Sequence, residues 1–444
     1  MSKLLIHNGF VVNEGIVKKS SVFVENSRII KIESDVDFEK YPNYEIIDAN
    51  DKYVIPGIID THVHFREPGL TEKANIFSES RAAAAGGITT FFDMPNTIPQ
   101  TINNTTLEEK FSVAQEKSLI NYSFYVGATN DNLNYLLSLE KENVAGIKLF
   151  YASSTGNMLV NKKQIIEQLF KKIKLPIVVH SEKNEIINQN LQIYKQKFGE
   201  DIPIKKHEDI RSVESCIVAT KELVNIAQKY NTKLHFLHIT TADEVELLKN
   251  VKNENITSEV SPNHLFFDSS DYQTLGNLIK CNPSIKSEKH KKALLNGLKN
   301  GSINTVATDH APHLIEQKQN KYLKAPSGIP SIQHSLNIML EFVKNGDLSI
   351  DEVVEKMCHN PAKIFKIKNR GFIKKGYFAD IVILDLNAKT EVLKQNLLYK
   401  CNWSPLEGTV FDSKVVSTIV NGKFVYNNNE IVENKKAMRV EFER

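Results

Sequence analysis

The stretch Ile59-Asp60-Thr61-His62-Val63-His64 decides the fold of this chain, because it ends an apolar run with two histidines two positions apart. In a β-strand, side chains at alternate positions point to the same face. His62 and His64 are therefore predicted to lie side by side at the end of a strand, where two imidazoles are able to bind one metal ion. The pair alone is weak evidence, because a surface strand tolerates the same pattern.

Three further segments repeat this design, in which an apolar run leads into a residue that binds metals. The runs that begin at residues 175, 233 and 303 lead into His180, His238 and Asp309, respectively. Taken singly, each residue also fits a core histidine or a turn-capping aspartate. A ligand at the carboxyl end of several successive strands is how a (β/α)8 TIM barrel builds its active site. The set therefore predicts a metal site in such a barrel.

Lys148 follows another apolar run, residues 144–147, and needs a separate explanation. A protonated ammonium group has no lone pair and does not bind a cation. Nearby cations lower the pKa of a lysine and favour the neutral amine. A neutral amine adds carbon dioxide to give a carbamate, whose two oxygens are able to bridge two metal ions. The alternative is a solvated or salt-bridged lysine, which is unusual at the end of an apolar barrel strand.

Three motifs resemble the amidohydrolase superfamily and, within it, the dihydroorotases. They are residues 56–69, 84–97 and 307–313, and the resemblance extends over nearly the whole chain. It implies two zinc ions bridged by carbamylated Lys148 and a hydroxide. One zinc would be held by His62, His64 and Asp309, and the other by His180 and His238. The chain departs from many relatives at residues 261–264, Ser-Pro-Asn-His, so His264 receives no role in the predicted site.

The resemblance implies the reversible cyclisation of N-carbamoyl-L-aspartate to L-dihydroorotate, a step of de novo pyrimidine biosynthesis. Asp309 would carry the proton between the attacking hydroxide and the leaving nitrogen. Dihydroorotate bears a carboxylate, and an arginine fork suits such a group. Arg66 is the candidate, because it lies two residues beyond His64 and strand alternation predicts that it points to the same face. A surface ion pair to Glu67 or Glu72 is the alternative. The other positions that match substrate-binding residues of the family are Asn96, Asn282, His313, Ser327 and Gly328; the two asparagines also fit turns beside proline.

Two other functions are consistent with the same motifs. One is a different cyclic amidase, of the hydantoinase, dihydropyrimidinase or allantoinase type, against which Arg66 argues. The other is a non-catalytic homologue that serves as a scaffold, against which the complete set of ligands argues. Residues 314–329 follow the last catalytic strand and are rich in lysine. We expect them to form a mobile lid over the substrate, open to trypsin at Lys318, Lys321 or Lys324.

The composition predicts an ordinary soluble enzyme of 444 residues. Its 56 basic and 53 acidic residues leave a net charge of +3, which favours neither nucleic acid nor membrane as a partner. The four cysteines form no CxxC pair and the start of the chain has no secretory pattern, so we expect a cytoplasmic protein. We expect a small-molecule substrate, with a homodimer as the assembly to test.

Strand–helix alternation predicts how the chain divides into domains. Between residues 57 and 365, apolar strands alternate with helical stretches, which is typical of a parallel barrel. Residues 1–56 and 366–444 are rich in short β-strands. We expect the two ends to pair into one small β-sandwich domain beside the metal-dependent hydrolase barrel.

Overall fold

The apolar run before His62 is divided between two sheets at Gly57. In the computed structural model, which describes residues 3–151, 158–160, 162–433 and 437–444, Tyr53–Pro56 joins one sheet and Ile58–Val63 begins another. Glycine is required between them, because a Cβ on Gly57 would lie 2.1 Å from the Thr89 hydroxyl oxygen. The apolar run therefore supplies one strand to each sheet.

Within the described residues, eight parallel strands in chain order form the barrel, and a parallel bridge between Val63 and His310 brings its two edges together. This confirms the predicted fold class. Numbered after the five strands of the amino-terminal part, the barrel strands are β6 (Ile58–Val63), β7 (Ile88–Asp93), β8 (Asn121–Gly127), β9 (Gly146–Phe150), β10 (Ile177–His180), β11 (Leu234–Phe236), β12 (Ile256–Val260) and β13 (Thr305–Val306).

The two ends of the chain share a second sheet, as predicted. Its described strands join in the order β19-β18-β17-β14-β5-β1-β2-β3, with β4 paired to β1. The amino-terminal strands are β1 (Lys3–Asn13), β2 (Ile16–Glu25), β3 (Arg28–Glu33), β4 (Glu45–Asp48) and β5 (Tyr53–Pro56). The carboxy-terminal ones are β14 (Ile381–Asp385), β17 (Lys414–Val420), β18 (Lys423–Asn427) and β19 (Glu430–Ile431), and a separate pair is β15 (Thr390–Glu391) with β16 (Val410–Phe411).

Helices connect and cover the barrel strands. Three of them closely match the helical stretches predicted from the sequence at residues 107–117, 162–172 and 213–229. The helices are α1 (Ile76–Ala85), α2 (Asn104–Lys117), α3 (Leu133–Ser138), α4 (Lys163–Lys172), α5 (Asn184–Phe198), α6 (His207–Ile210), α7 (Val213–Tyr230), α8 (Ala242–Lys249), α9 (Pro262–Phe266), α10 (Tyr272–Leu275), α11 (Glu288–Asn300), α12 (Ile315–Lys318), α13 (Ser335–Lys344), α14 (Ile350–Val354) and α15 (Asn360–Phe365). In the part of the chain that the structure describes, none of them has the length and apolar character to cross a membrane.

The end of the chain returns to the barrel. Phe442 packs edge-to-face against Phe92 of β7, and Arg444 donates to the carbonyl of Ala145 just before β9. The range 366–444 therefore contains residues that pack on the barrel as well as strands of the second sheet. We propose domain boundaries at residues 56/57 and 365/366, with residues 437–444 closing the amino-terminal end of the barrel. Residues 1–2 and 434–436 of the predicted β-domain lie outside the described part.

Candidate active site

A cavity of about 410 Å³ opens at the carboxyl ends of the barrel strands. Its lining contains all twelve residues that the sequence singled out, together with Phe150, Ala311 and Pro326. The twelve are His62, His64, Arg66, Asn96, Lys148, His180, His238, Asn282, Asp309, His313, Ser327 and Gly328. They come from seven different strand ends and loops, so the fold brings together residues up to 266 positions apart in the chain.

His62, His64 and Asp309 form the first ligand cluster. The Nε2 atoms of both histidines lie 3.2 Å from Oδ1 of Asp309, and one ligand atom from each residue lies within 4.8 Å of the others. Burial by itself would raise the pKa of Asp309, but the adjacent His62 and His64 lower it well below its usual range. The carboxyl group is therefore ionised, and this cluster has the donor set of a divalent metal site.

His180 and His238 form a second pair beside the first. Nδ1 of His180 lies 3.0 Å from Nε2 of His238, and the two rings meet edge-to-face. Burial lowers the pKa of both imidazoles. Neutral imidazoles are the form that binds metals. The ring of His238 also lies 5.3 Å from that of His62, centroid to centroid, so the two clusters are neighbours.

Lys148 lies inside β9 rather than at its end, because the strand continues to Phe150. Its side chain is 1% exposed, and its Nζ lies 4.6 Å from the centre of the Phe150 ring. Burial lowers the pKa of Lys148 to about 7, against the opposing effect of Asp309 and Glu259. A substantial share of the amine is therefore neutral near pH 7, which is the form that carbamylation needs.

The outward-facing nitrogens of three histidines are held by oxygen acceptors. Nδ1 of His62 lies 2.5 Å from Glu259, Nδ1 of His64 lies 2.8 Å from the Asn96 side-chain oxygen, and Nε2 of His180 lies 2.7 Å from Glu182. Such partners fix the proton on the outer nitrogen and leave the inner nitrogen free to bind a metal. Asn96, predicted to contact substrate, also orients a histidine.

Glu259 and Glu182 were not predicted from the sequence. Both side chains are fully buried, and Glu182 also contacts Arg211. Glu259 accepts from the main-chain N–H of His238 at 3.3 Å as well, so one carboxylate touches both ligand clusters. The available signals were a single acidic residue inside the otherwise uncharged strand β12 and a carboxylate two positions after His180. Neither signal is specific without the structure.

Arg66 lies beyond the end of β6 and reaches the cavity through a left-handed backbone conformation, with φ of 66°. Strand alternation, from which the direction of Arg66 was predicted, therefore does not explain why its side chain reaches the cavity. Its Nε donates to the carbonyl of Pro312 at 3.1 Å, and its Nη2 lies 3.1 Å from Nε2 of His313. Burial lowers its pKa to about 10, so it remains charged at neutral pH. The alternative pairing with Glu67 is absent, because Glu67 binds Lys117.

Another part of the cavity wall consists of Asn282, Ser327 and Gly328, and the Ser327 carbonyl oxygen lies 3.1 Å from Nε2 of His313. The side-chain oxygen of Asn282 is buried and has no hydrogen-bond partner among the described residues. Gly328 has φ of 146°, and a Cβ there would lie 2.3 Å from the Ala311 carbonyl oxygen, so only glycine fits. His264 lies outside the lining, with its Nε2 3.0 Å from the Pro283 carbonyl oxygen.

Residues 314–329 were predicted to form a mobile lid that trypsin cuts at Lys318, Lys321 or Lys324. The structure differs from this prediction in the exposure of one of the three lysines. Lys318, predicted as a tryptic site, is 1% exposed and its Nζ points inward. Lys321 and Lys324 are exposed, in agreement with the sequence.

Comparisons with known proteins identify relatives of two kinds. Dihydroorotases of Methanosphaera stadtmanae and Methanosarcina acetivorans are 31% and 32% identical to this chain. The first alignment covers 97% of this chain and 98% of that protein, and the second covers 100% and 95%. Among solved structures, the L-hydantoinase (dihydropyrimidinase) of Arthrobacter aurescens has a TM-score of 0.95 at 28% identity, covering 99% and 100% of the two chains. Dihydropyrimidinase of Brevibacillus agri has a TM-score of 0.89 at 25% identity, covering 97% and 96%.

A model of the amidohydrolase family matches residues 53–425, from the last strand of the amino-terminal part through the barrel and into the second sheet. The match includes every residue that lines the cavity. The relatives above 30% identity extend over nearly the full length of the chain, and the barrel geometry agrees with this match. The chain therefore belongs to the amidohydrolase family and is a hydrolase.

Proposed function

We propose that this hydrolase is a dihydroorotase, which interconverts N-carbamoyl-L-aspartate and L-dihydroorotate plus water. The observation that carries the proposal is Arg66, a buried guanidinium in the cavity whose described hydrogen-bonding neighbours, Pro312 and His313, are uncharged groups. The curated relatives named dihydroorotase support the same choice. The structural neighbours named hydantoinase support the coarser class, hydrolysis of cyclic amides, and define the alternative.

A buried cation is costly unless an anion accompanies it. Arg66 is 8% exposed, and its hydrogen-bonding neighbours supply acceptors but not a full negative charge. The carboxylates of Asp309 and Asp93 stabilise its charged form from a longer distance, and neither is paired with it. The carboxylate of dihydroorotate would supply that charge, in the bidentate geometry that a guanidinium favours. Hydantoin and dihydrouracil have no carboxylate, so a cavity made for them gains nothing from a buried arginine at this position.

The donor set fits a pair of divalent ions, for which zinc is our proposal. His62, His64 and Asp309 would hold one ion, His180 and His238 the other, and carbamylated Lys148 would lie between them. Two bound ions lower the pKa of water and polarise the amide carbonyl. The acceptors Glu259, Asn96 and Glu182 support this assignment, because they turn one ring nitrogen of His62, His64 and His180 inward.

Asp309 is the proposed proton carrier. Its depressed pKa makes it an acceptor at neutral pH, and its position in the cavity allows one carboxylate to take a proton from the attacking water. It would then deliver that proton to the leaving amide nitrogen. Arg66, His313 and the amide of Asn96 would hold the ring carboxylate, and Asn282 and Ser327, which also line the cavity, would contact the rest of the substrate. This fixes the direction of attack.

The setting of the reaction follows from the same proposal. Dihydroorotate formation is a step of de novo pyrimidine biosynthesis, and four cysteines without a CxxC pair favour a reducing cytoplasm. The predicted homodimer stays a prediction.

The test is an assay of purified, metal-loaded enzyme on four compounds. We expect cyclisation of N-carbamoyl-L-aspartate and hydrolysis of L-dihydroorotate, followed by absorbance, with little turnover of hydantoin or dihydrouracil. Metal analysis of the same sample should give close to two divalent ions per chain. Faster turnover of hydantoin or dihydrouracil than of dihydroorotate would replace this proposal with a hydantoinase or dihydropyrimidinase function.

A further inference from the structure

Lys318 is buried at the end of α12 and binds main-chain oxygens. Its Nζ donates to the carbonyls of Lys280 at 2.9 Å, Pro326 at 3.0 Å and Gly328 at 2.9 Å. Three acceptors match the three N–H bonds of an ammonium group, whereas a neutral amine offers two. Burial lowers the pKa of Lys318 to about 7, and the three carbonyls act against that effect because they stabilise the ammonium form. The contact geometry therefore fits a positive charge at Lys318.

The Lys280 side chain is also buried and also donates to main-chain carbonyls. Its Nζ donates to the carbonyls of Tyr322 and Ala325, both at 2.6 Å, and the side chain is 7% exposed. The two lysines together bind five main-chain carbonyls, four of which belong to the segment between residues 322 and 328. The backbone of Lys280 is part of the same hydrogen-bond network, because its carbonyl accepts from both the Lys318 ammonium group and the N–H of Gly328.

The segment 322–328, whose carbonyls the two lysines bind, is also held at its first residue, Tyr322. The hydroxyl of Tyr322 lies 2.9 Å from Nδ1 of His207, and the Tyr322 ring packs with the apolar residues Ile187, Ile202 and Ile210. Lys321 also pairs with Asp201 at 2.5 Å, but both side chains are largely exposed, so this surface pair contributes little to holding the loop. The loop after β13 is thus docked onto the loop after β10.

This network lies directly behind the wall of the cavity. Lys280 is two residues before Asn282, and Lys318 binds the carbonyl of Gly328, so both lysines support residues that line the cavity. In the described residues, neither ammonium group has a carboxylate within 4.0 Å. Burial lowers the pKa of Lys280 to about 8 and that of Lys318 to about 7, so each side chain keeps part of its positive charge near pH 7. Positive charge without such partners makes the potential at this wall more favourable for an anion.

We propose that Lys318 and Lys280 are positioning residues that fix the wall formed by Asn282, Ser327 and Gly328, and that their charges help to select rings that carry a carboxylate. The inference rests on the proposed function, since it takes a carboxylate-bearing ring as the substrate. It assigns to the segment 314–329 the role of a fixed wall.

The test compares Lys318→Met with Lys321→Met, the same substitution three residues away on the exposed side of the loop. For each metal-loaded protein, kcat and KM are measured on dihydroorotate and on dihydrouracil, and the rate of trypsin cleavage after Lys324 is followed. We expect Lys318→Met to raise KM for dihydroorotate roughly tenfold or more, with a smaller change for dihydrouracil, and to speed cleavage several-fold. Lys321→Met should match the wild type in KM and in cleavage after Lys324.

The inference is overturned if Lys318→Met keeps both the wild-type selectivity and the wild-type cleavage rate. A proportional loss on both substrates would overturn the charge-selection part and leave only a structural role. If Lys318→Met does not fold, Lys318→Gln retains neutral donors and should show the same loss of selectivity. A wild type that does not process dihydroorotate would refute the proposed function instead, and the cleavage rates would then decide whether the lysines fix the wall.

Discussion

Replacement of Arg66 by lysine is the sharpest test of how the cavity recognises its substrate. The substitution keeps the positive charge and removes the planar fork. In the structure, Nε of Arg66 donates to the Pro312 carbonyl at 3.1 Å and Nη2 lies 3.1 Å from Nε2 of His313, which leaves Nη1 and the second N–H of Nη2 for the substrate. A lysine ammonium on a shorter, unforked chain is able to satisfy the Pro312 carbonyl or the substrate carboxylate, but not in the same geometry.

The size of the effect follows from the hydrogen bond that lysine does not replace. A hydrogen bond to a charged group contributes about 1.5–3 kcal/mol. Loss of one such bond to the carboxylate corresponds to a fall in kcat/KM for dihydroorotate of roughly 10- to 150-fold. Most of the fall should appear as a higher KM, because in the proposed function Arg66 would contact the ring carboxylate rather than the reacting amide.

The assay measures kcat and KM of Arg66→Lys on dihydroorotate and on dihydrouracil, with metal content determined on the same samples. Arg81→Lys is the matched control, since Arg81 lies on α1, outside the cavity, and pairs with Glu433 at the surface. An unchanged KM for dihydroorotate, or an equal loss on both substrates, would refute Arg66 as the carboxylate-binding residue.

Three further substitutions test the metal centre and the proton transfer. Lys148→Ala should lose metal and activity, with partial return of activity on addition of short carboxylic acids; full metal content and full rate would remove the carbamate from the proposal. Asp309→Asn should lower kcat on the order of hundreds-fold or more, because the amide does not carry the proton; a kcat within tenfold of the wild type would point to another proton carrier. Glu259→Gln should weaken metal binding about 10- to 100-fold in a chelator competition, since the charge behind His62 is lost; unchanged affinity would make Glu259 a packing residue.

Strand periodicity was enough to predict the barrel and the residues that face the cavity. His62 and His64 are two residues apart at the end of β6, and His180 ends β10, so alternation and strand length place these rings correctly. Both properties are local, since they depend on backbone geometry that every β-strand shares. The same reasoning predicted the pairing of the two chain ends, because each end reads as short alternating strands.

Other features depend on contacts between distant parts of the chain. Arg66, His238 and Asp309 reach the cavity with φ of 66°, 34° and 50°, conformations that non-glycine residues adopt only when surrounding contacts hold them. Periodicity carries no information about such residues. Glu259 was not predicted as a site residue for a related reason. Its role depends on contacts with His62 and His238, which are 197 and 21 residues away in the chain. The split of the apolar run at Gly57 likewise depends on Thr89, a residue of the next strand.

The residues proposed to decide the substrate lie in loops, whose structure a sequence pattern predicts least well. The barrel superimposes on an L-hydantoinase with a TM-score of 0.95, so the arrangement of strands does not distinguish a dihydroorotase from its sister enzymes. Arg66, His313, Asn282 and Ser327 all lie beyond strand ends, in segments whose backbone is held by buried groups such as Lys318 and by Trp403, which donates to the His313 carbonyl at 2.7 Å. Specificity in this chain therefore depends on how rigidly these loops are fixed as well as on which side chains they carry. In the proposed function, Arg66 would select a carboxylate only while the wall formed by Asn282, Ser327 and Gly328 stays in place.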